Sequence, residues 1–394
     1  MFALSRRAVL RAALGGAGLA LAAPLLEARR ALGVPEAPAL LPPDANGVRL
    51  LPGFTSRVVA RSGEPPTPGG TYLWPPSPDG GAVFKVADRG WVYVSNSEIP
   101  NGGGGAGALR FDADGAVAEA YPILRDTTLN CAGGATPWNT WLSCEEFPLG
   151  RVWECDPFGK QRAVARPALG VFAHEAAAID PVGQRVYLTE DAPNGRFYRF
   201  TPKAVLSSGV YDLSEGVLEV AQVGGSGGDT MSGPVTWHRV PDPSGADTPT
   251  WQQVPASTAF PGSEGIAIHD GVAFFVTKYD NRVWAYDLRR EAIGVIYDDD
   301  RYEDPVLTGV DNVAVTPGGT VLVAEDGGDM QLVAVVLGGL VYPILQVVDH
   351  IGSEIAGPAF DPSGTRLYFS SQRGPGGSSR QGITYEVTGP FTKI

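Results

Sequence analysis

The chain has 394 residues, a formal net charge of −13, 43% hydrophobic residues, 52 Gly and 34 Pro. That apolar content excludes wholesale disorder, and so acidic a chain without a basic stripe argues against nucleic acid as a partner. The glycine and proline counts suit a fold of many tight turns rather than of long helices.

In chain order, the first element is a targeting segment. Ser5-Arg6-Arg7-Ala8-Val9-Leu10-Arg11 precedes an apolar, Gly/Ala-rich run from Ala12 to Leu25, with Ala20-Leu21-Ala22 as a cleavage site. Paired arginines before a moderately apolar stretch read as a twin-arginine export signal over residues 1–27. The expected location is therefore periplasmic or secreted, and the translocase is a partner during export. Residues 28–50 read as a linker and opening strand, and 51–394 as a single domain. No other segment is long and apolar enough to span a bilayer.

The Pro/Gly loop 62–70 leads into 72–98, where an SPDG turn and a strand over Trp91–Ser95 suggest one β unit. The run NGGGGAG (101–107) reads as a flexible connection, because neither a preceding strand nor a following Lys-Ser/Thr gives it a phosphate-loop context. Then one pattern recurs: an acid, a small-apolar run, a turn, and a short apolar strand that often ends in more acid. It appears as CAGGATPWNTWLSCEE (131–146), HEAAAIDPVGQRVYLTED (174–191), SEGIAIHDGVAFFVTK (263–278), DNVAVTPGGTVLVAED (311–326) and SEIAGPAFDPSGTRLYFSS (353–371). Glu264 to Asp311 is 47 residues and Asp311 to Glu354 is 43. A β-rich repeat of about 40–50 residues predicts propeller blades. Segments such as Arg185-Val-Tyr-Leu and Arg366-Leu-Tyr-Phe have the period of half-buried strands. The less regular stretch 202–260 is expected to hold a divergent blade with an inserted loop. Gln381–Pro390 is expected to complete a blade begun by the N-terminal strand, leaving no free sheet edge. The predicted fold is all-β: a six-bladed propeller with a metal site in its central channel.

The placement of the acids carries the chemistry. The first strand of each blade lines the channel, so carboxylates at equivalent points converge, and converging carboxylates repel and lose hydration unless cations or protons join them. Glu175, Glu264 and Glu354 begin repeats, and Asp311 takes that place in another, followed by Asn312, whose amide carbonyl can orient a ligand. Glu190-Asp191 and Glu325-Asp326 end two second strands, where alternation sends one member of each pair inward without revealing which. Ser143-Cys144-Glu145-Glu146 sets a thiol beside carboxylates, a mixed soft and hard set that suits iron, while hard oxygens alone favour calcium. Of the cysteines, Cys131 and Cys155 are one available disulfide pair leaving Cys144 free; three small buried residues is the other reading. His174 is expected to be packed, and His238, His269 and His350 share no metal spacing. H-E-x-x-H does not occur, and there is no G-x-S-x-G nucleophile elbow, since the GGSGG run at 224–228 lies in the less regular stretch 202–260.

The stretches TPWNTWLSCEE, AHEAAAIDP, VYLTED, GRFYRF, the Glu264-Gly265 step, DNVAV, VLVAEDG, SEIAGPAFDPSGTRLYF and QGITYEVTGPF resemble those of the PhoX-type bacterial alkaline phosphatases over roughly residues 70–394. The resemblance implies a six-bladed propeller that holds Fe³⁺ and Ca²⁺ in its channel and hydrolyses phosphate monoesters. By the same resemblance Cys144 is the thiolate ligand, Glu145 its neighbour, and Glu175, Glu264 and Glu325 further carboxylate ligands. Glu190, Asp191, Asp311, Asp326 and Glu354 form a second rank of candidates. One departure stands out: where the family carries a phosphate-contacting arginine two residues before the counterpart of Glu264, this chain has Gly262. That departure keeps two alternatives open, a calcium-dependent lactonase-like hydrolase and a non-catalytic binding propeller. A propeller closed on itself is expected to be a monomer.

Overall fold

The computed structural model describes residues 37–224 and 232–394, so the export segment expected over 1–27 lies outside the described residues, as do residues 225–231. Two short strands come first, β1 (Val48–Leu50) and β2 (Thr55–Arg61). An antiparallel meander follows, made of β3 (Pro78–Lys85), β4 (Trp91–Ser97), β5 (Gly104–Phe111) and β6 (Val117–Thr127). The next comprises β7 (Asn130–Ala135), β8 (Trp141–Glu145), β9 (Val152–Cys155) and β10 (Val164–Ala165). Then come β11 (His174–Asp180), β12 (Arg185–Glu190), β13 (Phe197–Pro202), β14 (Gly216–Val223) and β15 (Ser232–Arg239). The fourth holds β16 (Ser263–His269), β17 (Val272–Thr277), β18 (Arg282–Asp287) and β19 (Ala292–Asp298). The last two are β20 (Val310–Val315), β21 (Val321–Glu325), β22 (Gln331–Val336) and β23 (Leu340–Val347), then β24 (Ile355–Phe360), β25 (Arg366–Ser371) and β26 (Ile383–Thr388). Among the described residues the only helical pieces are three-residue 3-10 turns.

The fold is all-β and propeller-like. Hydrogen bonding gives four separate sheets, β3–β6, β7–β10, β1 with β20–β23, and β2 with β24–β26, and one nine-stranded sheet. In the nine-stranded sheet β15 continues from β14 and pairs with β19 through Ser232↔Gly294 to Pro234↔Ala292, so two successive meanders share one ladder. Its edge strands β11 and β16 adjoin at the centre. The first strands form the inner ring: β3 adjoins β7, β7 adjoins β11, β11 adjoins β16, β16 adjoins β20, β20 adjoins β24, and β24 adjoins β3. The N-terminal β2 pairs with the C-terminal β26 from Thr55↔Thr388 to Arg61↔Ile383, so the chain ends close the ring on themselves.

Two local expectations give way. The stretch 202–260 contains no further meander among its described residues: it supplies the end of β13, then β14, β15 and a long loop with one 3-10 turn. The glycine run 101–107 is not a loose connection, because Gly104–Phe111 is a buried strand paired on both sides. The second strands are also buried on both faces rather than half-buried, β4 and β17 throughout. Each sheet is flanked by two others, so alternation in sequence does not divide core from solvent. Apolar clusters fill the spaces between neighbouring sheets, for example Leu142, Val186, Leu188 and Tyr198 between the second and third meanders, and Phe274, Val283, Val321 and Val333 between the fourth and fifth.

Near the axis the inner strands touch through small residues. A Cβ on Gly80 of β3 would stand 2.4 Å from Ala132 Cα on β7, and one on Gly265 of β16 would stand 2.6 Å from Asn312 Cα on β20. No side chain fits between backbones that close, so the channel is narrow just beneath the acids that neighbour these glycines. Gly265→Ala is therefore expected to destabilise the fold by about 1–3 kcal/mol or more by forcing β16 and β20 apart. A denaturant melt beside the parent protein checks this, and an unchanged midpoint would show that the strands separate without cost.

Candidate metal centre

Two repeating backbone features aim side chains into one end of the channel. In β3, β7, β11, β16 and β20 the pairing with the second strand slips just after the first residue, between Pro78/Gly81, Asn130/Gly133, His174/Ala177, Ser263/Ile266 and Val310/Val313. Such a bulge re-aims the side chain within it, and the residues it carries are Asp79, Cys131, Glu175, Glu264 and Asp311. The second feature is the residue just past each second strand: Glu98, Glu146, Asp191, Lys278, Asp326 and Gln372. In β24 the bulge falls one residue later, over Gly357-Pro358, and the second residue is Ala356. Glu354 therefore enters from the loop before β24, and is not the equivalent of Glu175 and Glu264 that the repeat suggested.

Three groups of donor atoms result, each with its members within 4.8 Å of one another: Cys131, Glu146 and Glu175; Glu175, Glu264 and Asp311; and Asp79, Glu98 and Glu354. Glu175 belongs to two of them. Asp79, Glu175, Glu264, Asp311 and Glu354 are all at most 5% exposed. Two carboxylates at this separation repel by about 3–4 kcal/mol at an effective dielectric of about 20. A few such pairs match the whole stability of a domain, about 5–15 kcal/mol, so the ring requires protons or cations. Burial first, then neighbouring carboxylates, push Asp79, Glu175, Glu264 and Glu354 well above the usual carboxylate range, and burial lifts Asp311 to about 7. The Cys131 thiol is raised by burial and by Asp79 and Glu175. These are the groups whose charged forms a bound cation would restore.

The fit to cations shows in carboxylate oxygens left without hydrogen-bond partners. Glu175 Oε2, Glu264 Oε1 and Asp191 Oδ1 are buried and accept no hydrogen bond, a costly state for carboxylate oxygens unless something else fills it. The donor set is mixed, hard carboxylates throughout and one soft sulfur in one group, and such a set accommodates iron beside the thiol and calcium among the oxygens. Amide side chains hold the ligands in register. Asn312 Nδ2 donates to Asp311 Oδ1 at 2.9 Å and to Glu175 Oε1 at 3.3 Å, and its Oδ1 accepts from Gly357 N at 2.6 Å, tying β20 to β11 and β24. Gln372 Nε2 donates to Asp79 Oδ2 at 2.5 Å and to Glu98 Oε2 at 2.8 Å. Two cations adjoin: Lys278 Nζ lies 2.7 Å from Asp326 and 3.5 Å from Glu264, and Arg373 Nη1 lies 3.1 Å from Glu354.

Of the residues singled out from the sequence, Glu175, Glu264, Asp191, Asp311, Asp326 and Glu354 meet at this end of the channel. Cys144, Glu145, Glu190 and Glu325 do not. Cys144 is fully buried in the apolar cluster with Leu142, Val152 and Leu188. Glu145, Glu190 and Glu325 end the second strands and point back into their own sheets, where they hold loop backbone. Glu145 accepts from Thr128 N and Arg151 N, Glu190 from Arg196 N and the Tyr198 hydroxyl, and Glu325 from Thr308 N and Gln331 N. Alternation puts the following residue, Glu146, Asp191 or Asp326, in the channel. The sulfur there is that of Cys131, which the sequence had offered only as a disulfide partner or a small buried residue. All three cysteines are free, so the Cys131–Cys155 pair does not form. His174 is packed as expected, its ring on Phe172 and its Nε2 against Gly170 O at 3.0 Å. Asp79, Glu98, Lys278, Gln372 and Arg373 went unrecognised, although the SPDGG and SNSE segments carry Asp79 and Glu98 at the same offsets as the other repeats.

A cavity of about 1180 Å³ lies elsewhere. It opens at the opposite end of the channel between the turns that leave the inner strands, lined by residues such as Ile179, Ile268, Phe274 and Leu288, and none of the clustered acids reaches it.

A bulged inner ring carrying convergent carboxylates and one thiol defines a candidate cation-holding centre on a propeller-like fold. The sequence model of the family described as Alkaline phosphatase PhoX matches residues 103–151 and 147–291. Among solved structures, PhoX of Pseudomonas fluorescens in complex with vanadate, a transition state analogue, is similar at 15% identity over 89% of this chain and 97% of that one, with a TM-score of 0.72. A Bacteroides thetaiotaomicron protein of unknown function is similar at 9% identity over 88% and 83%, with a TM-score of 0.53. A Xanthomonas campestris gluconolactonase shares 12% identity over 91% and 99%, with a TM-score of 0.45, too distant to bear on activity. No curated protein matches the chain. The family match points to the PhoX-type, alkaline-phosphatase-like phosphoesterases, and the similar structure shows that the propeller fold is shared.

The two cysteines nearest this centre in sequence are expected to respond differently. Cys131→Ser should lower the bound metal measured by elemental mass spectrometry with little change in the denaturant midpoint. Cys144→Ser should leave metal content unchanged and cost about 1–3 kcal/mol, because it sets a hydroxyl in an apolar cluster. The reverse pattern would place the ligand sulfur on β8.

Proposed function

We propose that the protein is an exported, metal-dependent phosphomonoesterase whose channel centre holds Fe³⁺ and Ca²⁺. The observation that carries this reading is the convergence of the Cys131 thiol and three overlapping groups of buried carboxylates at one end of the channel, in a chain matched by the PhoX family. The similar Pseudomonas protein binds vanadate, a mimic of phosphoryl transfer, and that supports phosphate esters as the substrate class. The order of adjoining inner strands, together with apolar clusters between successive meanders, favours counting the nine-stranded sheet as two blades joined through β15, six in all. Residues 51–394 then form one propeller domain, with residues 1–27 as the twin-arginine signal that directs it to the periplasm or outside the cell. Among the described residues no helix is long and apolar enough to cross a membrane.

In this reading Cys131, Glu146 and Glu175 hold the iron and the all-oxygen groups hold calcium. Bound cations would supply the positive field that stabilises charge developing on a phosphoryl group in flight. The chain's own residues prepare that field. Glu175 links two groups, so the positions of their cations are not independent. Asn312 fixes the orientation of Glu175 and Asp311 from a third strand, and Gln372 does the same for Asp79 and Glu98. The close approach of β3 to β7 and of β16 to β20 narrows the channel behind the ring, so that substrate and water reach it from the side of Lys278 and Arg373.

Protein purified without chelators is expected to contain iron and calcium and to hydrolyse p-nitrophenyl phosphate and glycerol 3-phosphate. A chelator should abolish that activity and lower the melting temperature, and the two ions should restore both. A ligand at a hundred times its dissociation constant stabilises by about 2.7 kcal/mol, so the shift is readily measured. Folded protein that binds neither ion, or metal-replete protein that turns over lactones and no phosphate ester, would overturn the assignment.

A further inference from the structure

Of the six residues that follow the second strands, Glu98, Glu146, Asp191, Lys278, Asp326 and Gln372, one is a cation. We propose that Lys278 is the anion anchor of this centre, its ammonium binding the phosphoryl oxygens of the ester once the surrounding carboxylates are neutralised by metal. The inference rests on the phosphoesterase reading above and deepens it.

Three observations support it. The Lys278 side chain is 29% exposed and reaches from the rim toward the ring, 2.7 Å from Asp326 and 3.5 Å from Glu264 Oε1, an oxygen that accepts no hydrogen bond. It thus stands where a group bound at Glu264 and Asp311 would face solvent. Charge favours such a group: apart from Lys278 and Arg373, which is paired with Glu354, the rim is acidic, and a phosphate dianion approaching it meets repulsion that a fixed cation offsets. The backbone beside it is also cleared. Gly262 accepts the Lys278 amide at 2.7 Å, holds φ at +63°, and leaves a space in which a Cβ would stand 3.2 Å from both Lys278 Cβ and the Tyr279 ring. A side chain at 262 would be strained and would crowd the lysine. Gly262 and Lys278 are therefore one device, with the cation supplied from β17 and the space from the loop before β16.

Lys278 could instead serve only as a counter-ion that holds Glu264 and Asp326 together, and the test separates the two roles. Lys278→Met and Lys278→Arg are compared with the parent for metal content, for kcat and KM on p-nitrophenyl phosphate, and for binding of inorganic phosphate by calorimetry. As an anchor, Lys278→Met raises KM and the phosphate dissociation constant about tenfold or more, lowers kcat much less, and retains its metal, while Lys278→Arg recovers most of the loss. Metal lost in step with activity, or phosphate binding equal to the parent's, overturns the proposal in favour of a counter-ion. A parent that hydrolyses no ester sinks the phosphoesterase reading instead. The anchor is then judged on inorganic phosphate alone: binding lost in Lys278→Met supports it, and equal or absent binding overturns it.

Discussion

Mutual repulsion among buried carboxylates is the constraint around which this structure is organised. Asp79, Glu175, Glu264, Asp311 and Glu354 are nearly inaccessible, and their oxygens crowd within a few ångströms of one another or of a thiol. Nothing in the hydrophobic effect favours that arrangement. It is sustained by the rest of the fold: apolar clusters between the sheets press the inner strands together, and the chain ends pair through β2 and β26 so that the ring cannot open at a seam. The favourable burial in the walls offsets an unfavourable centre, and a bound cation turns that centre from a liability into the best-held part of the molecule.

The same tension explains the division of labour among acids that look alike in sequence. At the end of a second strand, two successive residues face opposite sides. Glu145, Glu190 and Glu325 turn into the sheets, where each accepts backbone donors and fixes the loop to the third strand. Burial lifts Glu190 and Glu325 to about 7, and the donated hydrogen bonds work against that rise. Their neighbours Glu146, Asp191 and Asp326 turn into the channel, where donors are scarce. One acid of each pair builds the frame that positions the other.

Much of this was legible in the sequence. The recurring acid, small-apolar run, turn and strand revealed the ring, its β character and the convergence of Glu175, Glu264 and Asp311. What stayed hidden depended on single-residue phase. Alternation announces that one member of Glu190-Asp191 and one of Glu325-Asp326 faces the channel, yet the phase depends on register with the inner strands, which bulge at His174/Ala177 and Val310/Val313 where no residue pattern marks it. Glu354 misled for the same reason, because in β24 the bulge begins a residue later and the acid enters from the preceding loop. The extra ladder through β15 was equally invisible, since strand propensity does not say which neighbour an outer strand will find.

The bulges also explain why the ring tolerates different ligands at equivalent points. Within each bulge the backbone is released from the ladder, so an aspartate, a glutamate or a cysteine can occupy the position while the strand on either side keeps its register. Carboxylate length and donor softness can then vary around the ring without disturbing the walls. In this chain the variation runs from Asp79 through Cys131, Glu175, Glu264 and Asp311 to Ala356. The result is an asymmetric centre on a nearly regular scaffold: sulfur on one flank, oxygen opposite, and no bulge ligand on β24, where Glu354, Gln372 and Arg373 crowd in from the loops. An asymmetric set of this kind can hold unlike cations side by side, whereas identical ligands at every blade would hold one ion on the axis. The diversity of residues at the head of each repeat, which makes the repeat look degenerate, is therefore the feature that gives the centre its chemistry.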